Sequence, residues 1–396
     1  VADWLVRRRG FHVHFYCNTA ISREFWPESV GRGLEVASFT VGGVAKEPAV
    51  PWRKALERGL CYAYGCHELL EARRPRPIDA VVGRSDGLGS TLYASVTLPR
   101  VPIVQFLEYY YHPTRHDLAD ELVATMPPAY VHWRRAANVV DLLDLENRVL
   151  PWAPTAWQRD LYPPEYRDDF FVLHDGVDSR RFAPRLEKPR SIAGRSIPPD
   201  VKILTFVARG LDRLRGFDRF LKLANAVMKV RSDVVALVVG EPMVGRTLDL
   251  VFYGKDHRAH ALQQDPPTDP DRLWFLGGVT PTVLADVLAA SDLHVAPGRT
   301  YAPARSLLEA MAAGRVILAS DTPPHRELIR PGVDGLLADP ADPDAWVERA
   351  LEVLDDPEGH RPLGKSARDV VLEHYAQDAT LPKLAERLNT LAGVRD

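Results

Sequence analysis

Two arginines and a glutamate set the chemistry this sequence can support. In TFVARGLDRLRGFDRF an apolar run ends in a tight turn carrying Arg209 and Arg215, and a helical pattern follows. Two guanidinium groups in one strand-to-helix turn suit a diphosphate, because each makes paired, charge-assisted hydrogen bonds. Gly210 and Gly216 in the same turn let a backbone approach closely. The same arginines also read as ordinary surface residues, which need no function.

A second stretch, PGRTYAPARSLLEAMAAGRVILASDTPPHRE from Pro297 to Glu327, reads as a ligand-facing loop, a helix, a buried strand and another loop. Leu307, Leu308 and Met311 carry the helical spacing, and Pro303 suits the first turn because its missing N–H would have no partner there. Ala302, just before it, offers no side-chain oxygen to the free N–H groups of a helix start. Water can satisfy them, or an anion such as phosphate, which the helix dipole also favours. Glu309 stands about two helical turns past Tyr301, near one face of the helix and the loop leading into it. A carboxylate there can cap, or accept two hydrogen bonds from a sugar diol. Its neighbours Leu307, Leu308, Ala310 and Met311 imply partial desolvation, so a ligand or protein donor is expected for it.

The elements that must position these residues form an α/β series. With 396 residues the chain is too long for one compact core, so two domains are expected. Strand-length apolar runs fall near Phe11–Tyr16, Leu34–Val41, Ala80–Gly83, Ile103–Leu107, Val149–Trp152 and Phe170–Leu173, with helices between them, notably Trp52–Arg73 and Tyr130–Leu145. A second series has strands near Ile203–Val207, Val234–Val239, Trp274–Leu276, Leu293–Ala296, Val316–Ala319 and Gly335–Leu337. It ends in helices Pro343–Leu354, His360–His374 and Thr380–Leu391. Such alternation predicts mainly parallel sheets. Asp175 to Asp200, charged and rich in Pro and Gly, reads as the interdomain connection. The expected domains are therefore 1–175 and 176–377, with a last helical stretch in 378–396 after them, and a cleft between two such domains is a preferred ligand site. The chain opens on a helix, Val1 to Arg9, where an α/β unit normally opens on a strand, so an initial strand and its loop are expected ahead of Val1.

Composition narrows the partners. The sequence is 46% hydrophobic and 26% charged, with a formal charge of −3, which gives no support to nucleic-acid binding through bulk electrostatics. No apolar run approaches a membrane span and no signal peptide is visible. Cys17, Cys61 and Cys66 make no disulfide framework, which fits a reducing cytoplasm. Cys61, Cys66 and His67 sit in an apolar helical stretch and read as packing residues, not metal ligands. Asp269/Asp271 and Asp342/Asp344 are Asp-Pro-Asp triplets in polar turns and read as turn and cap residues, so no metal and no cofactor is expected. Arg7, Arg8 and Arg9, with the basic ends of the Trp52–Arg73 helix, raise peripheral contact with the inner face of a membrane as a side reading.

VARGLDRLRG, LWFLGGV, SDLHVAPGRTYAPARSLLEAMAAG, ASDTPPHRELI and PGVDGLLADP, preceded by LHDGVDSRRFAP, resemble the ordered motifs of glycosyltransferase family 4. The N-terminal half matches more loosely, through DAVVG, PIVQFLEYYY and LPWAPTAWQRDLYP. The resemblance implies the GT-B fold, two Rossmann-like domains facing each other across a cleft, with the last helix crossing back to the first domain. It implies a retaining hexosyltransferase that takes a nucleotide-diphosphate sugar, UDP-hexose before GDP-mannose, to a glycan, lipid-linked or small-molecule acceptor. In that pattern Arg209 and Arg215 bind the diphosphate, the second replacing a more usual lysine. Glu309 is the second of two paired glutamates and holds the ribose. Tyr301 stands where the first glutamate usually is, and Ala302, Pro303, Ala304 and Arg305 replace a glycine-containing loop that reaches the sugar. Leu276, Gly277 and Val279 contact the base mostly through backbone. Glu108 occupies a position that is commonly His, close to the transferred sugar; it orients the acceptor, stabilises the anomeric centre or acts as base, or else is a strand-end Glu paired to a neighbouring Arg. Arg84, Asp86 and Tyr109 fall on the acceptor side. Two other classes share the fold: a nucleotide-sugar epimerase, and a non-catalytic protein that binds nucleotide sugars or glycans.

Overall fold

The computed structural model describes residues 1–18, 27–41, 51–73, 77–84, 91–115, 126–242 and 256–393. The chain divides into two compact units, Val1–Gly176 joined by Thr380–Asp396, and Val177–Ala379.

In the first unit β1 (Val13–Asn18) and β2 (Leu34–Phe39) pair in parallel, and β3 (Val81–Arg84), β4 (Ile103–Phe106), β5 (Leu150–Ala153) and β6 (Phe171–Val172) form a parallel sheet in that order. The helix expected over Tyr130–Leu145 is two helices, Pro128–Ala137 and Val139–Glu146. Asn138 between them is committed to a distant backbone: its Oδ1 accepts from the Tyr111 N–H at 2.8 Å and its Nδ2 donates to the Tyr111 carbonyl at 2.9 Å. Asn side chains that find such backbone partners compete with continued helix. The helix Gln377–Ala392 brings Leu381, Leu384, Ala385 and Leu388, one stripe at helical spacing, into a cluster with Leu5, Val104, Phe106 and Trp152. Each leucine buried there contributes roughly 1.5–3 kcal/mol.

The second unit opens with a short hairpin, β7 (Ser191–Ile192) against β8 (Arg195–Ser196). Its core is a six-stranded parallel sheet of β9 (Lys202–Gly210), β10 (Val234–Glu241), β11 (Leu273–Gly277), β12 (Leu293–Ala296), β13 (Val316–Ser320) and β14 (Leu336–Ala338), in the order β11-β10-β9-β12-β13-β14. Along β9, Ile203 and Val207 enter one apolar layer while Leu204, Phe206 and Ala208 enter the other. That alternation with both faces buried is what a helix-covered parallel strand requires. Helices Pro281–Ala290 and Arg305–Ala312 cover the first face, and Phe217–Val230 and Pro343–Asp355 the second. The segment expected as a connection belongs largely to this unit: Val177, Phe182, Ile192 and Ile197 are buried in its core. Four apolar residues so far apart show neither strand nor helix period, so charge and proline dominate the sequence signal. Among the described residues no helix is long and apolar enough to cross a membrane.

Candidate functional site

The order of the second sheet reverses between β9 and β12: the chain runs outward from β9 to β11 on one side and from β12 to β14 on the other. Loops leaving adjacent strands at such a point splay to opposite faces and open a crevice at the carboxyl ends. Here the two loops are 211–216 and 297–304, and they are tied together. The Arg299 N–H donates to the Leu214 carbonyl at 2.9 Å. Gly216 has φ 78°, and a Cβ there would lie 2.2 Å from the Pro297 carbonyl oxygen, so only glycine fits this crossing. Gly210 ends β9 in register with Glu241.

Both expected diphosphate arginines sit at this crossing, in different states. Arg209 is exposed at the end of β9. Arg215 is half-buried and braced: its backbone N–H donates to Asp212 Oδ1 at 2.8 Å, its Nη1 donates to the Ala302 carbonyl at 2.6 Å, and its guanidinium lies 5.2 Å from the centroid of the Tyr301 ring. His325, buried behind the loops, has Nδ1 at 2.9 Å from the Ser320 carbonyl and 3.1 Å from Thr322 Oγ1. Burial, with the Arg215 charge adding to it, lowers its pKa to about 4, so the ring is neutral at neutral pH and leaves the positive charge to the arginines.

The helix that follows starts later than the sequence suggests. Its first residue is Arg305, and Ala304 is the N-cap, with extended φ −69° and ψ 135° and no side-chain cap hydrogen bond. Pro303 thus lies in the loop, and the Ala302 carbonyl serves Arg215 in place of a helix start. Ser306 Oγ donates to the Val207 carbonyl at 2.7 Å, which pins the first turn over the end of β9, two residues from Arg209. Glu309 is 12% exposed and forms an ion pair with Arg305, whose Nε lies 3.6 Å from Oε1, so a cation stands beside the partly buried carboxylate. Tyr301 stays outside this helix, with its ring on Arg215. At the end of β11, Gly277 takes φ 66°, and the Gly278 N–H donates to Glu241 Oε1 at 3.0 Å. The side chains of Leu276 and Val279 pack against the core.

Sequence reasoning missed Arg299. Its guanidinium forks onto Asp218 at 3.1 and 2.9 Å, and Asp218 also meets His257 Nε2 at 3.3 Å. Burial alone would raise the Asp218 carboxyl, but His257 and Arg299 together hold it well below the usual carboxylate range. The pair fixes the 297–304 loop to the first turn of the helix after β9.

In the first unit, Glu108 follows β4, and its Oε2 accepts from Arg84 Nη2 at 2.9 Å, while Arg84 Nη1 lies 3.8 Å from Asp175 Oδ2. The guanidinium of Arg84 also covers the Phe106 ring at 4.8 Å. Glu108 thus has an Arg partner at the strand end, an arrangement open to both expected roles, and its backbone carbonyl is fixed by Gln158 Nε2 at 2.6 Å. Tyr109, expected on the acceptor side, is buried, edge-on to Tyr111 at 5.0 Å and near Trp157 at 6.2 Å. Asp86 lies outside the described residues. Behind Glu108, Thr91 Oγ1 lies 2.8 Å from Gln105 Oε1 and 3.2 Å from Asp144 Oδ2, and Tyr162 donates to Asp141 Oδ2 at 3.1 Å.

The acidic triplets cap: Asp269 Oδ1 accepts from the Asp271 N–H at 3.1 Å, and Asp342 Oδ1 from the Ala345 N–H at 3.0 Å. Burial pushes the Cys66 thiol up to about 12, and His67 Nδ1 lies 2.7 Å from Thr97 Oγ1. Among the described residues no group of three or more His, Cys, Asp or Glu side chains is placed to hold a metal ion.

Comparison with known proteins accounts for this architecture. Residues 9–182 match the glycosyl transferase family 4 group, and residues 187–370 match the glycosyl transferases group 1. The D-inositol 3-phosphate glycosyltransferase of Thermobispora bispora is 28% identical over 228 residues, covering 54% of this chain and 49% of that protein. The chain spans about half the length of the curated relatives it matches. Among solved structures, sucrose-phosphate synthase from Thermosynechococcus elongatus aligns with a TM-score of 0.76 at 19% identity, over 100% of this chain and 92% of that one. Anabaena HepE, solved with UDP and glucose, aligns with a TM-score of 0.61 at 16% identity, over 90% of this chain and 86% of that one. With both halves matched in order and the fold shared along its whole length, the chain belongs to glycosyltransferase family 4 and has the GT-B fold.

Proposed function

We propose that the protein is a retaining glycosyltransferase that takes a hexosyl group from a nucleoside-diphosphate sugar, UDP-hexose before GDP-mannose, to a hydroxyl of a glycan, lipid-linked or small-molecule acceptor. The observation that carries this reading is the meeting of the 211–216 and 297–304 loops where the sheet order reverses, with Arg209 and the braced Arg215 beside an uncapped helix start. Leaving-group departure places negative charge on the diphosphate while positive charge grows at the anomeric carbon. Two guanidinium groups and a helix N-terminus supply an opposing field already oriented for it. Glu309, at the second turn of that helix, is the ribose ligand in this reading, and the backbone around Gly277 receives the base. Glu108 orients the acceptor or stabilises the anomeric centre, with Arg84 holding its carboxylate. No metal or cofactor has a role in it. The choice of UDP first agrees with HepE, whose structure contains that nucleotide.

Calorimetric titration with UDP, GDP and ADP tests the donor site, repeated with Arg209→Ala. Binding of one nucleotide that is lost in the variant agrees with the assignment. Equal binding in both proteins removes Arg209 from the site. Product analysis with the matching nucleotide sugar then separates transfer, which needs an acceptor, from epimerisation, which does not.

A further inference from the structure

Arg215 is held differently from Arg209, and the difference lies in the loop after β12. Its Nη1 donates to the Ala302 carbonyl at 2.6 Å, and the adjacent Tyr301 presents its ring 5.2 Å from the guanidinium carbon. Among the described residues Nε and Nη2 donate to no protein acceptor. A guanidinium with one donor tied to a carbonyl and a π face beside it has lost most of its rotamer freedom. The two contacts come from consecutive residues of the loop that Arg299 anchors to Asp218, so the brace on the arginine is itself tied to the helix after β9. An arginine fixed before its anion arrives forfeits less entropy on binding.

We propose that Tyr301 is a positioning residue for Arg215: its ring, with the Ala302 carbonyl, holds the guanidinium in the orientation that receives the donor diphosphate. This rests on the diphosphate reading of Arg215. Tyr301 acts through the arginine and needs no contact of its own with the donor.

A double-mutant cycle on nucleoside-diphosphate affinity tests it, using whichever of UDP, GDP and ADP the intact protein binds. Tyr301→Phe keeps the ring face and should stay within about twofold of the parent. Tyr301→Leu removes the π face while keeping a branched apolar side chain and should weaken binding about three- to tenfold, the range of a partly desolvated cation–π contact. In an Arg215→Ala background, Tyr301→Leu should add nothing, because its effect passes through the guanidinium. Equal losses from Tyr301→Leu in both backgrounds would mean that Tyr301 shapes the loop independently of Arg215, and the proposal fails. It also fails, alone, if Arg215→Ala weakens binding and Tyr301→Leu does not. If Arg215→Ala itself leaves affinity unchanged, or no nucleotide binds, the diphosphate reading falls and takes this proposal with it.

Discussion

Asp144 gives the sharpest test of the first unit, through its protonation. Its side chain is fully buried on the helix Val139–Glu146; burial first, and the nearby Asp141 charge second, raise its pKa from 3.8 to about 7, while the contact with Thr91 opposes them. Thr91 has one hydrogen for two neighbours, Gln105 Oε1 and Asp144 Oδ2, and a carboxylic acid O–H at Asp144 resolves that shortage. Because the folded pKa lies above the unfolded one, the group's contribution to stability is complete below pH 3.8 and is lost as pH rises through about 7. A separation of about three pH units at about 1.4 kcal/mol each amounts to roughly 4 kcal/mol between pH 4 and 8. Asp144→Asn keeps the size and a donor and removes the charge. Urea unfolding followed by tryptophan fluorescence reports on this unit, since six of the eight tryptophans lie in its segments. The expected result is a variant more stable than the parent at pH 8, nearly matched to it at pH 4, with a flatter profile between. A parent and variant with the same pH slope would show that Asp144 is ionised in the native state, and the reasoning would fail.

Three further outcomes follow from the sites. Arg209→Ala and Arg215→Ala should each weaken nucleoside-diphosphate binding about ten- to a hundredfold, the cost of one charge-assisted contact; calorimetry at fixed salt reads it, and unchanged affinity in both variants removes them from the diphosphate. Gly216→Ala should lose roughly 1–3 kcal/mol to its left-handed backbone alone, with the clash against Pro297 added, and donor binding with it. Gly298→Ala, whose new Cβ meets nothing closer than 3.5 Å, should be mild, so equal thermal stability of the two variants would contradict the crossing of the loops. Glu108→Gln should lower turnover more than donor affinity, and turnover at the parent value would make Glu108 a partner of Arg84 and nothing more.

Period and spacing carried the sheet and the two arginines, because β9 alternates between two buried layers and the turn after it is local. What escaped depends on partners far away in sequence. The helix start moved from Pro303 to Arg305 because the Ala302 carbonyl is taken by Arg215, a contact spanning 87 positions. Arg299 looked like loop polarity until Asp218, 81 positions earlier, came beside it. The break at Asn138 follows from Tyr111, and the burial of Ile192 and Ile197 from a hairpin too short to show alternation. In each case one side chain or carbonyl chose a tertiary partner over the pattern around it, and no window on the sequence contains both members.

The stripe of Leu381, Leu384, Ala385 and Leu388 bears on the order in which the molecule assembles. The apolar face it covers, with Val104, Phe106 and Trp152, is made more than two hundred residues earlier on the ribosome. Every strand of the second unit emerges in between. That unit is one continuous segment and can close its core as soon as it is translated, whereas the first must wait with an uncovered face. Covering that face therefore waits for the last helix to emerge, and until then its apolar side chains are exposed to the solvent.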